Sequence, residues 1–127
     1  MIVLDASAAV SALLNGGQAR RYVVDESIHA PHLVDVEVLS ALRRQVNAGR
    51  LTADQAERAL TAWKRIGLIR YAATPLVERV WELRDSVTAY DAVYVALAEN
   101  LGCALVTADA RLATGHGPRC AVAVVPN

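Results

Sequence analysis

Apolar positions along this 127-residue chain alternate between two rhythms, short continuous runs and longer stretches at helical spacing. Residues 1–5 form a short apolar run, the mark of a buried strand, and 6–15 follow as an Ala/Leu-rich helix closed by Gly16 and Gly17. A helix over 18–26 leads to a second strand near 28–30. Pro31 is expected to open the next helix, with Leu33, Val36, Leu39 and Leu42 at helical spacing and Gly49 at its end. Thr52 and Gln55 spell a capping box for a helix running to about residue 66, and 68–72 reads as a third strand. Thr74-Pro75 starts a helix with Leu76, Val80 and Leu83 on one face. Thr88 caps a helix over 89–101 that Gly102 ends. A fourth strand (103–107), a short helix (110–114) and a fifth strand (120–125) complete the chain.

Strands alternating with helices predict an α/β fold with three layers: a mostly parallel central sheet of about five strands, with helices on both faces. The length suits one domain over 1–127 with a real core and leaves no room for two. In such sheets ligands bind beyond the carboxyl ends of the strands. Four acids fall there. Asp5 ends strand one, Asp109 lies just past strand four, and Glu37 and Asp91 sit in first turns of helices that follow strands two and three, directly or at one remove.

Each acid also has a plain structural reading. Asp5 suits an N-cap of the first helix, with Ser7 able to share the task, and Asp109 suits the same role ahead of 110–114. Glu37 fits a helix-dipole partner or surface acid, and Asp35, on the opposite face, reads as solvated. Asp91 is the hardest to dismiss, because its helical neighbours Tyr94, Val95 and Ala98 are apolar. A carboxylate on an apolar face must be hydrogen-bonded, paired or metal-bound to stay ionised, and Thr88 offers only a capping box. Four caps converging on one rim are a less economical account than one site. Gathered acids with no basic residue beside them repel one another unless a cation lies between them, which points to a hard divalent metal and phosphate chemistry.

Composition narrows the picture further. Thirteen basic and thirteen acidic residues give zero net charge, so nucleic acid would have to be held by local patches rather than by a basic footprint. Lys64 is the only lysine; the remaining cations are Arg, the better bidentate phosphate partner. Arg20/Arg21, Arg43/Arg44/Arg50 and Lys64/Arg65 serve equally as solvated helix faces or as backbone contacts. Cys103 and Cys120 lack metal-type spacing and read as reduced, buried and cytosolic. The opening residues lack a secretory n-region, and no apolar run approaches membrane-spanning length, so a cytoplasmic protein is expected.

Rival chemistries find little support. His29, His32 and His116 read as surface or turn residues without zinc spacing. No GxGxxG or P-loop is present, and Ser7 lacks a nucleophile-elbow context. A receiver-type site needs an acidic pair after strand one and a late Lys, and a haloacid-dehalogenase-like site needs D-x-D where this chain has D-A-S. Trp63, Trp81 and the tyrosines fall at core-like positions, and core is the safer reading for 77–83 as well.

The blocks IVLDASA, APHLVDVEVLSALRR, YDAVYVALAENLG and LVTADARLA, in this order and spacing, resemble the PIN domain, and more narrowly the VapC-type toxins of bacterial toxin–antitoxin pairs. The resemblance covers essentially the whole chain. It implies a metal-dependent endoribonuclease that leaves 5′-phosphate and 3′-hydroxyl ends. Asp5, Glu37, Asp91 and Asp109 would be the catalytic and metal-binding acids, with Ser7 and Thr107 in support. One or two Mg²⁺ ions, or Mn²⁺ in their place, would be the cofactor. The resemblance further implies an RNA substrate, a cognate antitoxin and a homodimer. Ser40 stands where many relatives have Asn. A PIN-like module that binds RNA or protein without cutting is the alternative.

Overall fold

Every strand of the computed structural model, which describes residues 1–127, runs in the same direction. The elements are β1 (Ile2–Leu4), α1 (Ala6–Leu14), α2 (Gly17–Asp25), β2 (Ile28–Pro31), α3 (Val34–Asn47), α4 (Ala53–Arg65) and β3 (Leu68–Tyr71). A 3₁₀ turn (Thr74–Leu76) then runs into α5 (Val77–Glu82), followed by α6 (Ala89–Leu101), β4 (Ala104–Thr107), α7 (Arg111–Thr114) and β5 (Val122–Val124). The expected α/β architecture is present, with a wholly parallel sheet rather than a mostly parallel one.

The strand order is β3-β2-β1-β4-β5. The chain winds outward from β1 to β3, returns to lay β4 on the other side of β1, and ends at β5. The order reverses between β1 and β4, where Ile2, Val3 and Leu4 pair with Ala104, Leu105 and Val106. Helices that leave such neighbours diverge and open a crevice beyond their carboxyl ends. Asp5 follows one of these strands and Thr107 ends the other. β1 and β2 are buried along their length, so both faces of the sheet are covered. α6 packs across β2, β1 and β4, and its residues Ala92 to Ala98 are all buried.

Local signals hold where the chain decides structure within one turn. Thr52 and Gln55 form both bonds of the capping box on α4, Thr88 Oγ1 accepts the Asp91 N–H at the start of α6, and Gly102 closes α6 at φ 66°. Pro31 departs from expectation: it is the last residue of β2, opposite Tyr71, where its missing N–H costs little, and the helix starts at Val34.

The buried face of α3 also differs. Its core residues are Val34, Val38 and Leu42, whereas Val36 is 68% exposed and Leu39 49%. Spacing of three slips about 60° per step around a helix of 3.6 residues per turn, so Leu33 and Leu42 end about 180° apart. Spacing of four holds the face better. Trp63 and Tyr94 are core residues, but Trp81 and Tyr90 are each 67% exposed, against the packing expected of them. In the stretch from Val77 to Leu83, Leu83 is buried and Val77 and Trp81 face outward.

His29, expected at the surface, is buried in β2 between Ser27 Oγ (3.0 Å) and the Tyr71 hydroxyl (2.6 Å). Asp35 is not simply solvated either. It accepts the Trp63 indole N–H at 2.8 Å and a two-pronged contact from Arg70, tying α3 to α4 and β3. Cys103 and Cys120 are free and half-buried rather than fully buried.

Candidate active site

Asp5 is the one fully buried acid of the chain. Extended backbone at the end of β1 makes it the N-cap of α1, and Oδ1 accepts the Ala8 N–H at 2.9 Å and the Ser7 hydroxyl at 2.6 Å. Oδ2 accepts the Thr107 hydroxyl from across the β1/β4 switch point. Capping and site chemistry are therefore the same geometry, since the cap turns the carboxylate to face the crevice. Ser7 Oγ also accepts the Ala108 N–H and Thr107 Oγ1 the Asp109 N–H, so two hydroxyls lock the loop after β4 onto Asp5. Asp5 is 6% exposed, and burial pushes its carboxyl up despite these donors, with the charge of Asp91 adding to the push.

Glu37 reaches the same crevice from the first turns of α3. The buried Tyr94 hydroxyl on α6 donates to its Oε1 at 2.6 Å. Burial raises the Glu37 carboxyl, the Tyr94 bond offsets part of that, and the charges of Asp91 and Asp5 raise it further. Tyr94 itself is pushed far above the usual phenol range, chiefly by burial and then by Glu37, so it remains a donor.

Asp91, in the first turn of α6, is raised by burial and next by Asp109. Thr88 Oγ1 accepts its N–H at 3.2 Å, but the return bond that would complete a capping box is absent, leaving the carboxylate turned to the crevice. All four acids line one cleft of about 460 Å³, together with Ser7, Ser40, Arg44, Tyr90 and Tyr94.

Asp109 behaves differently. Arg111 Nε donates to its Oδ1 at 3.0 Å, Arg111 Nη2 to its Oδ2 at 2.8 Å, and the Arg111 backbone N–H to Oδ1. The guanidinium holds this carboxyl below its usual range. The expectation of an acid cluster with no basic neighbour is corrected here: Arg111 pairs with Asp109, and Arg44 lies in the cleft near Glu37. Sequence reasoning also missed Tyr94 as a partner of Glu37. Its place three residues after Asp91, on the same helical face, was the available signal, and the i+2 spacing of Arg111 from Asp109 was the other.

The donor set consists of hard carboxylate oxygens, three of them driven toward the neutral form by burial and mutual repulsion. That chemistry fits a hard divalent cation such as Mg²⁺ or Mn²⁺. No three acidic side chains stand close enough in this structure to share one ion, so binding requires small side-chain movements toward it. Asp5 is the fixed point, whereas Glu37 is held by Tyr94 and Asp109 by Arg111, and each must share or release that bond to reach an ion.

Comparison with known proteins gives the family and the fold. Residues 2–115 match the PIN domain family. Ribonuclease VapC9 of Mycobacterium tuberculosis is 54% identical over 126 residues, covering 99% of each chain. Ribonuclease VapC1 of the same organism is 44% identical over 128 residues, covering 97% of this chain and 96% of that one. Among solved structures, VapBC2 of Rickettsia felis, bound to a DNA fragment from its promoter, matches with a TM-score of 0.71 at 15% identity, covering 98% of this chain and 99% of that one.

Proposed function

We propose that this chain, which belongs to the PIN-domain family and within it to the VapC-type ribonucleases, is an endoribonuclease of a toxin–antitoxin pair that hydrolyses RNA phosphodiester bonds at the Asp5, Glu37, Asp91 and Asp109 cleft. The observation that carries the site assignment is the convergence of four carboxylates from four separate elements at the β1/β4 switch point, three of them raised chiefly by burial.

Asp5 and Asp91 are the principal ion ligands in this reading, and Glu37 and Asp109 complete or shape the site. One or two bound Mg²⁺ or Mn²⁺ ions would supply an acidified water and charge stabilisation at the phosphate. The protein's own part is positional. Ser7 and Thr107 hold both Asp5 oxygens in place, and Tyr94 fixes Glu37 through Oε1, leaving Oε2 to accept a proton from the attacking water. Arg44 offers a positive charge to the incoming phosphate across the cleft.

A cognate antitoxin is part of the proposal, supported by the VapBC2 likeness in fold and the VapC relatives. Val36 and Tyr90 are exposed apolar residues lining the cleft that a wrapping partner would cover. A second copy of the chain belongs to the same reading, with the exposed Val77 and Trp81 of α5 as the surface it would bury. No helix is long and apolar enough to cross a membrane, and the reading places the reaction in the cytoplasm.

The test is incubation of the partner-free protein with labelled single-stranded RNA in Mg²⁺, Mn²⁺ or EDTA, beside Asp91→Asn. Cleavage that needs the metal and vanishes in the variant is the expected result. Binding of RNA and metal without any cleavage would replace the enzyme with a binding module.

A further inference from the structure

A second groove, about 440 Å³, shares Asp91 and Asp109 with the cleft. Arg84 and Arg111 line it. An endonuclease substrate must leave its scissile phosphate in two directions, and the cleft and this groove are two concave surfaces that meet at the shared acids. Arg84 is tethered, stacked 4.9 Å over Trp81 and bonded to the Trp81 carbonyl. Arg111 is engaged only with Asp109, and its side chain is 90% exposed.

That pairing conflicts with a four-carboxylate ion site. Both Asp109 oxygens face the guanidinium, and no three acids reach a common ion as the side chains stand. An exposed ion pair is weak, however, so a second anion at the same fork can displace the first. The planar guanidinium that grips a carboxylate by two N–H groups matches a phosphate equally well.

We propose that Arg111 is a substrate-exchanged counter-ion: an RNA phosphate entering the second groove takes its guanidinium, and the released Asp109 turns to join Asp5 and Asp91 around the ion. The inference rests on the nuclease reading and deepens it, because it makes the ion site complete only when substrate is present. RNA then raises metal affinity, and metal raises RNA affinity by the same factor.

The two halves of the exchange give Arg111→Ala effects of opposite sign. Calorimetry with Mn²⁺ alone should show tighter binding in Arg111→Ala, by about two- to five-fold for loss of one exposed competitor. A short single-stranded RNA of mixed sequence, titrated in EDTA, should bind more weakly, with the salt slope of log K reduced by about 0.7 for one lost phosphate contact. Arg111→Lys keeps the charge but loses the fork, and its Mn²⁺ affinity should lie between those of the wild type and the alanine variant.

Equal Mn²⁺ affinity in wild type and Arg111→Ala, or an unchanged RNA salt slope, would overturn the exchange. An Arg111→Lys variant indistinguishable from wild type would also overturn it, by leaving charge alone as the cause. If the wild type binds no Mn²⁺ and cuts no RNA, the nuclease reading falls with it. If the wild type cuts RNA normally while Arg111→Ala shows neither effect, only the exchange is lost.

Discussion

Replacing Asp35 by Ala removes the acceptor of three hydrogen bonds that join α3, the helix carrying Glu37, to α4 and β3. The losses are unequal. Arg70 and Asp35 are each about a third exposed, so the freed guanidinium returns to water and the ion pair contributes about 0–1 kcal/mol after screening. Trp63 is 4% exposed, and its indole N–H, left without a partner, costs about 1–3 kcal/mol. The sum is about 1–4 kcal/mol. With about 2.1 cal/mol/K per residue over 127 residues, the unfolding entropy is about 0.27 kcal/mol/K, and the melting temperature should fall by about 4–15 °C. Asp35→Asn keeps a carbonyl oxygen for Trp63 while discarding the charge, and should cost about 1 kcal/mol or less. Calorimetric or circular-dichroism melts of both variants at neutral pH, in EDTA, make the comparison. Equal destabilisation by Ala and Asn would refute the reasoning, because it would place the energy in the ion pair rather than in the buried indole.

Four further outcomes follow from the structure. Tyr94→Phe keeps the ring in the core and loses the bond to Glu37; a lost ligand-orienting contact should weaken Mn²⁺ binding by about 10–100-fold, and unchanged calorimetric affinity would show that the hydroxyl merely satisfies itself. Asp91→Asn should abolish cleavage yet raise the melting temperature in EDTA, since the raised Asp91 carboxyl marks a charge that destabilises the folded state at neutral pH. At about 100 times its dissociation constant, Mg²⁺ should stabilise the wild type by about 2.7 kcal/mol, or about 10 °C by the same entropy, and this gain should shrink sharply in Asp91→Asn. Glu99 gives the acid limb. Burial alone would raise its carboxyl, but bonds from Arg79 and the Arg119 N–H hold it below 4.5, so its contribution is complete above that value and is lost as pH falls through the lower folded pKa. Glu99→Gln should flatten the stability profile in that window, and an unaltered slope in urea melts across it would contradict the assignment.

Several features of this protein were legible without tertiary information because short-range physics decides them. Thr52 with Gln55, Thr88, and Gly102 set helix ends through bonds made within a turn, and the structure repeats them. The alternation of strands and helices implied a parallel sheet, and with it the rim at which Asp5, Glu37, Asp91 and Asp109 meet. Other features depend on which surfaces meet, and no local pattern encodes that. Val36 and Leu39 carry the same apolar chemistry as Val34 and Val38, yet packing buries one pair and exposes the other. Asp35 looked solvated until β3 and α4 brought Arg70 and Trp63 to it, and His29 looked like a turn residue until Tyr71 arrived from the neighbouring strand. The Tyr94 bond to Glu37 joins residues 57 positions apart, and the Thr107 bond to Asp5 joins residues 102 apart. Residue type and position along the chain determined which groups could do chemistry. Only folding, by bringing distant elements within a hydrogen bond's length, decided which groups are fixed, which are paired and which remain free to act.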